Sequence, residues 1–458
     1  MAIATTNPAT GEMLKTFEPM GEKQIEEILA NAAEAAAVLR ATTFDQRAAW
    51  MREAALLLEG EIGEVARLVT LEMGKRIEEA KAEVAKCASA CRYYAAHAER
   101  FLADVPADAR AVRASRAYTR FEPLGPVLAI MPWNFPLWQV MRFAAPALMA
   151  GNPGLLKHAS NVPQTALYLD ELFDRAGFPT GAFQALLVGS DAIEDILLDH
   201  RVRAATLTGS AAAGRSVAAI AGRALKKTVL ELGGSDPYVV MPSADLDRAV
   251  STAVRARCQN NGQSCIAAKR FIVHGDVYDA FARAFTDQMA GLVVGDPLDH
   301  GVDIGPLATE QGRDDVAEQV SDAVAKGGTV LTGGRAPDRP GWFYPPTVVT
   351  DLTHDMRMYR EEVFGPVAGL YRIESLDEAL ELANGTEYGL GANAWTTDPG
   401  ERERFVDELD AGQVFVNGMV TSHPELPFGG VRDSGYGREL SDLGIREFCN
   451  AKAVWVAE

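Results

Sequence analysis

Two side chains in this 458-residue sequence could do covalent chemistry together. Cys265 ends the polar, glycine-containing stretch Cys258-Gln259-Asn260-Asn261-Gly262-Gln263-Ser264-Cys265. A thiol attacks only as thiolate, which needs a polar and partly open setting of this kind. Upstream, the apolar run Lys227-Thr228-Val229-Leu230 ends in Glu231-Leu232-Gly233-Gly234. A cysteine and a carboxylate, each beside flexible glycines, suit a nucleophile with a separate general base. A solitary cysteine is more often a small buried hydrophobe, so the pair needs support from its surroundings.

Further groups supply that support, each with a plainer reading beside it. Thr208-Gly209-Ser210-Ala211-Ala212-Ala213-Gly214 turns from a strand into a helix, where free N–H groups and the helix dipole favour a phosphate. It lacks the G-x-G-x-x-G spacing, and any strand–helix turn can need glycine. Pro132-Trp133-Asn134-Phe135-Pro136 follows an apolar strand, so Asn134 could donate to a developing oxyanion or serve only as a turn residue. Lys157 ends the next strand and could meet ribose or phosphate, or simply solvent. Glu361-Glu362-Val363-Phe364-Gly365-Pro366 places a carboxylate and a ring on one loop, fit for a ribose and a planar heterocycle or for closing a helix.

The elements that must position these groups read as two α/β units behind a helical segment. From Glu22 to Leu102 the Ala/Glu/Leu/Arg-rich sequence has helical spacing for three or four helices, with its charge runs as solvated faces. Short apolar strands then alternate with helices: strands at 126–130, 154–157, 183–188, 204–207 and 228–231, helices at 162–176, 192–199 and 213–224. That alternation predicts a parallel, doubly wound sheet. A second unit has helices at 246–257, 277–289 and 310–325 and strands at 270–274, 368–372, 392–396 and 413–417. Residues 113–121 and the alternating tail Ala451–Val456 read as strands that need partners.

Composition narrows the function. A net charge of −19, from 44 basic and 63 acidic residues, argues against nucleic acid or an anionic membrane as main partner. The five cysteines form no disulfide framework and fit a reducing compartment. Cys87 and Cys91 lie one helical turn apart without companion histidines, which reads as helix packing and not a metal site. The start, Met1-Ala2-Ile3-Ala4-Thr5-Thr6, lacks the charge and apolar run of a secretory signal, so a cytoplasmic location is expected.

Taken together, Pro-Trp-Asn-Phe-Pro at 132–136, Glu-Leu-Gly-Gly at 231–234, Gly-Gln-Ser-Cys at 262–265, Glu-Glu-Val-Phe-Gly-Pro at 361–366 and Pro-Phe-Gly-Gly-Val-Arg-Asp-Ser-Gly at 427–435 resemble the NAD(P)-dependent aldehyde dehydrogenases over nearly the whole chain. More narrowly, the chain resembles the short bacterial, NADP-preferring succinate-semialdehyde dehydrogenases. The resemblance implies an α/β fold with a Rossmann-type cofactor domain (1–112 and 124–233), a catalytic domain (234–425) and an oligomerisation arm with the C-terminal tail (113–123 and 426–458). It implies Cys265 as nucleophile, Glu231 as base for thioester hydrolysis, and Asn134 with the Cys265 N–H as oxyanion donors. Trp133, Lys157, Gly209, Ser210, Glu362 and Phe364 match cofactor-binding positions. Ser160 stands where NAD-preferring relatives commonly carry glutamate; serine removes a charge that would repel a 2′-phosphate, so NADP is expected over NAD.

For the substrate, the resemblance assigns a carboxylate-binding role to Arg142, with Ser422 as a second contact. Some members carry another arginine where this chain has Gln259, so carboxylate binding is weaker here or helped by Gln259 as a neutral donor. Ala267 replaces a cysteine that forms a regulatory disulfide in some relatives, and no such switch is expected. The resemblance also implies a homodimer or homotetramer. Other readings are a dehydrogenase of another short aldehyde such as glutarate semialdehyde, a cysteine-dependent thioester or ester hydrolase, and a catalytically silent binding protein.

Overall fold

Five short apolar strands and one late addition build the first sheet. In a computed structural model that describes residues 3–457, their spatial order is Gly435–Tyr436, Lys227–Glu231, Ala204–Thr208, Val127–Met131, Gly154–His158 and Phe183–Ala185. All pairings are parallel except that of Gly435–Tyr436. The inner strands are almost wholly apolar because helices cover both faces of the sheet. From Val127–Met131 the chain first builds outward through Gly154–His158 and Phe183–Ala185. It then returns to lay Ala204–Thr208 on the opposite side. This reversal opens a crevice at the carboxyl ends of the two central strands, where α/β sheets bind their ligands.

The second sheet has seven strands, in the order Thr329–Thr332, Thr347–Thr350, Val367–Ile373, Ala268–His274, Asp236–Val240, Ala392–Trp395 and Val414–Val416. The expected strands near 270, 368, 392 and 413 are all present. Asp236–Val240 was not foreseen, although it lies near the middle of the sheet. It follows the Gly233-Gly234 turn directly, so one short link joins the first sheet to the second and suspends Glu231 beside it.

Four helices, Glu22–Ala41, Phe44–Gly60, Ile62–Met73 and Ile77–Phe101, occupy the N-terminal segment. Their charges are not all solvated faces, which corrects the sequence expectation. Glu72, Lys75 and Glu83 are buried. Glu72 accepts from Thr5, Gln164 and Thr165, which tie helix Pro163–Arg175 and the first strand to the bundle. Glu83 pairs with Lys75 and accepts from the N–H groups of Leu137 and Trp138, at 2.9 and 2.8 Å, where helix Trp138–Ala150 begins. Buried charges persist only when partnered in this way. Cys87 and Cys91 are buried on the helix Ile77–Phe101, Cys91 against Met141.

The two strand-like segments find each other. Arg116–Pro123 pairs antiparallel with Cys449–Val456, and Val105–Pro106 adds a short third strand on the far side. Segment 426–458 is thus divided: Gly435–Tyr436 extends the first sheet and Ser441–Arg446 packs on the helices, while the last strand forms the arm. Among the described residues no helix is long and apolar enough to cross a membrane. The first two residues of the N-terminal stretch considered above lie outside the described residues.

Candidate active site

The loop before Cys265 is held in an unusual backbone conformation. Asn260 (φ 54°), Asn261 (φ 56°) and Gly262 (φ 77°) lie consecutively in the left-handed region, which asparagine and glycine tolerate best. A Cβ on Gly262 would stand 2.3 Å from the backbone carbon of Gly365, so glycine is required there twice over. Side chains then fix the loop. Asn261 Nδ2 donates to the carbonyls of Gly74 and Pro306, at 2.8 and 3.0 Å, and Asn261 Oδ1 accepts from Gly305 N–H. Asn260 Nδ2 donates to the carbonyls of Asn134 and Gln263, at 2.6 and 2.9 Å. The nucleophile loop is thereby locked to the Asn134 turn on one side and the Glu362–Pro366 segment on the other.

Cys265 sits half-buried at the end of this loop. Burial pushes its thiol up to about 12, against the lowering pull of Arg142 and Lys269. Lys269 donates to the carbonyls of Ser264 and Cys265, at 2.9 and 2.5 Å, and pairs with Glu362 at 3.1 Å. Asn134 Nδ2 donates to Gln263 carbonyl at 3.2 Å, so its amide already points at the loop that carries the thiol.

Glu231 ends its strand as expected and is buried, with neither carboxylate oxygen hydrogen-bonded. Burial raises its pKa well above the usual carboxylate range, and the nearby Glu439 raises it further. Glu439 is raised by burial too, and Arg142 opposes that rise. Two acids therefore share one buried positive charge. Sequence reasoning missed Glu439, whose only local signal is its place just past the Pro427–Gly435 motif.

The crevice beside these groups holds a cavity of about 210 Å³, walled by Trp133, Asn134, Gly209, Ser210, Cys265, Glu362 and Phe364 together with Gln139, Thr208 and Gly233. Seven of the residues proposed from sequence thus meet around one space. Ser210 caps helix Ala211–Arg223, accepting from Ala213 N–H at 3.3 Å. The Trp133 and Phe364 rings meet edge to face, 5.7 Å apart. Thr208 Oγ1 and Gln139 Oε1 are buried without hydrogen-bond partners, and a Cβ on Gly233 would reach within 2.6 Å of Glu362 Oε2. A largely apolar lining that carries a few unmet polar atoms, beside a helix N-terminus, fits a dinucleotide. Lys157 and Ser160 lie farther along the crevice, at and just beyond the end of the neighbouring strand, both half-buried. Burial lowers the Lys157 pKa.

The sequence pattern of the aldehyde dehydrogenase family matches residues 1–454. The chain belongs to the aldehyde dehydrogenase family. It is 65% identical over 457 residues to a protein of Mycolicibacterium paratuberculosis named succinate-semialdehyde dehydrogenase [NADP(+)], covering 100% of this chain and 97% of the relative. The similarly named protein 1 of Mycobacterium tuberculosis is 63% identical, with 100% of both chains covered. Among solved structures, succinic semialdehyde dehydrogenase from Streptococcus pyogenes, in complex with NADP+, superposes with a TM-score of 0.96 at 37% identity, covering 99% of this chain and 100% of that one. The expected fold class is borne out.

This aldehyde dehydrogenase has a second cavity, of about 200 Å³, which shares no wall residue with the first. Its walls include Lys75, Glu79, Lys86, Phe135, Trp138 and Gln259. Gln259 Nε2 is buried without a partner. Ser422 Oγ accepts from both Trp138 Nε1 and Lys86 Nζ, each at 2.9 Å. Arg142 lies one turn beyond Trp138 and lines neither cavity. Its Nε is 2.6 Å from Glu439 Oε2, its guanidinium lies 4.3 Å from the Phe428 ring centre, and its Nη2 has no hydrogen-bond partner. The carboxylate role assigned to Arg142 from sequence thus competes with an ion pair already in place. Cys258 Sγ faces Met289 Sδ at 3.5 Å, and all five cysteines are free thiols.

Proposed function

We propose that the protein oxidises succinate semialdehyde to succinate with NADP as preferred cofactor. The observation that carries this reading is full-length identity of 63–65% to relatives bearing that name, in a chain that has Cys265 and Asn134 on one cavity and Glu231 at the end of the strand leading into its wall at Leu232 and Gly233. Cys265 gives its thiol proton to water and attacks the aldehyde carbon as thiolate, forming a C–S bond while the carbonyl electron pair moves to oxygen. Asn134 Nδ2 and the Cys265 N–H stabilise that oxygen as it gains charge. Bound NADP would supply the acceptor for the hydride this carbon must lose to become a thioester, and Lys157, Ser160, Gly209, Ser210, Glu362 and Phe364 would hold it. Glu231 then takes a proton from water, which adds to the thioester carbon as the C–S bond breaks to release succinate. Lys269 holds the Ser264 and Cys265 carbonyls still while this happens.

Cofactor preference rests on Ser160, which brings no negative charge to a 2′-phosphate, with Lys157 supplying a positive one. The acid tail meets Ser422 and Gln259, while the charge of Arg142 is taken up by Glu439. Ser422 already accepts two hydrogen bonds, so its own O–H remains to be donated. Five free thiols suit a reducing compartment. The edge strand Cys449–Val456, with Trp455 exposed, suits pairing between copies in a homo-oligomer.

Initial rates of NADPH and NADH formation with succinate semialdehyde and with pentanal test this function. A strong preference for the semialdehyde and for NADP is expected. Equal rates with pentanal would keep the chemistry and sink the substrate. Absence of reduced cofactor would overturn the function outright. Light scattering tests the assembly, with a species at least twice the chain mass expected.

A further inference from the structure

The second cavity contains four charged side chains, and three of them are already spent. Lys75 pairs with Glu83, and its ammonium sits 3.9 Å from the Phe135 ring centre. Glu79 pairs with Arg76 at 3.5 Å and accepts from Asn260 N–H. Lys86 makes no ion pair of its own: it touches Ser422 Oγ at 2.9 Å and the face of Trp138, 4.3 Å from its ring centre, while the Glu83 carboxylate is already taken by Lys75. Burial, and then the positive charge of Arg142, lower its pKa to about 8. A half-buried ammonium without an ion pair of its own is costly unless an anion joins it.

We propose that Lys86 is the cation that binds the carboxylate of the substrate, closing a three-point cradle with the Ser422 hydroxyl and the Gln259 amide. This assignment rests on the semialdehyde reading above. Lys86 and Gln259 wall one space, Ser422 is joined to it through Lys86, and each of the three keeps unused donor capacity. The Lys86 ammonium has three N–H bonds and gives one to Ser422, Ser422 keeps its own proton, and Gln259 Nε2 is unpartnered. Phe135 adjoins Asn134 in sequence, and Gln259 belongs to the segment that leads to Cys265. Asn260, which walls the same cavity, donates to the carbonyls of Asn134 and Gln263, so an anion in the cradle sits against the loop that carries the thiol. Arg142, by contrast, is 2% exposed and already paired with Glu439. The cradle gives this chain a cation on its substrate side even though Gln259 replaces the arginine that some relatives carry.

The test is the ratio of kcat/KM for succinate semialdehyde to kcat/KM for pentanal, measured with NADP in wild type, Lys86→Met, Lys86→Gln and Lys86→Arg. A charge-assisted contact of this kind predicts that both neutral variants lose roughly 10- to 100-fold in the ratio, mainly through KM for the semialdehyde. Lys86→Arg retains most of it, because charge and reach are kept. The glutamine variant preserves the polar contact to Ser422, so the result does not depend on the methionine variant folding. A high wild-type ratio that survives in both neutral variants overturns the role of Lys86 and leaves the substrate reading intact. Equal losses on both aldehydes, with the ratio unchanged, assign Lys86 a structural role and overturn the proposal too. A wild-type ratio near one overturns the substrate reading and the cradle together.

Discussion

The two sides of the active site are built by different means. On the cofactor side, most of the groups follow the end of a strand: Asn134 after Val127–Met131, Gly209 and Ser210 after Ala204–Thr208, Lys157 in Gly154–His158, with Glu362 and Phe364 added from one loop. Backbone geometry does the placing there, and the glycines clear space. The substrate side is assembled from side chains that reach in from distant segments. Lys86 comes from one helix, Trp138 from another, Gln259 from a loop, and Ser422 from a coil 336 residues beyond Lys86. A sheet edge can therefore bind the same cofactor in many chains, while the substrate cradle changes with one or two substitutions.

The largest test of this contrast is at the junction of the two sides. Cys265→Ala should reduce turnover roughly 10⁴-fold or more while cofactor binding, followed by tryptophan fluorescence, persists. Loss of cofactor binding along with turnover would mean that the two sides are not separable. Next comes Arg142→Met, which leaves the buried Glu439 without its counter-charge. About 3–5 kcal/mol of stability should be lost in denaturant unfolding, with oxidation of semialdehyde and pentanal falling in parallel. A selective loss on the semialdehyde would return Arg142 to direct carboxylate binding.

Ser160→Glu addresses the cofactor side alone. The new carboxylate faces the 2′-phosphate, so the NADP-to-NAD ratio of kcat/KM should fall roughly 100-fold with the semialdehyde-to-pentanal ratio unchanged. The smallest effect concerns pH. Glu231 works as carboxylate and its pKa lies above the usual range, so kcat should rise as pH increases through that raised value. Glu439→Gln removes the negative neighbour, lowers the Glu231 pKa and should move the rise to lower pH by roughly one unit. An unmoved profile would show that the two acids do not titrate together.

The same contrast explains what the sequence could disclose. Turns at strand ends carry glycine, proline and asparagine for steric reasons, so Trp133, Asn134, Gly209, Ser210, Glu362 and Phe364 stood out locally. Cys265 stood out because its loop needs three consecutive left-handed residues, which only a run such as Asn-Asn-Gly supplies easily. Lys86 gave no such signal, since a lysine in a helix rich in Ala, Glu and Lys is usually solvated. Its burial depends on Trp138 and Ser422 arriving from elsewhere, which no window of neighbouring residues can reveal. Glu72, Lys75 and Glu83 were misread as surface charge for the same reason. The strand Asp236–Val240 was overlooked because it is five residues long, includes a proline and lacks alternation.

Lys269 joins the two sides in one further way. The same ammonium touches Glu362, on the cofactor wall, and the carbonyl oxygen of the nucleophile itself. A ligand that draws Glu362 away from Lys269 alters the electrostatic field at the thiol, and any change at the thiol is felt at Glu362. Thermodynamic linkage makes that exchange equal in both directions. Ionising Cys265 should therefore change the dissociation constant of the cofactor, and bound cofactor should change the free energy of ionising the thiol by the same amount.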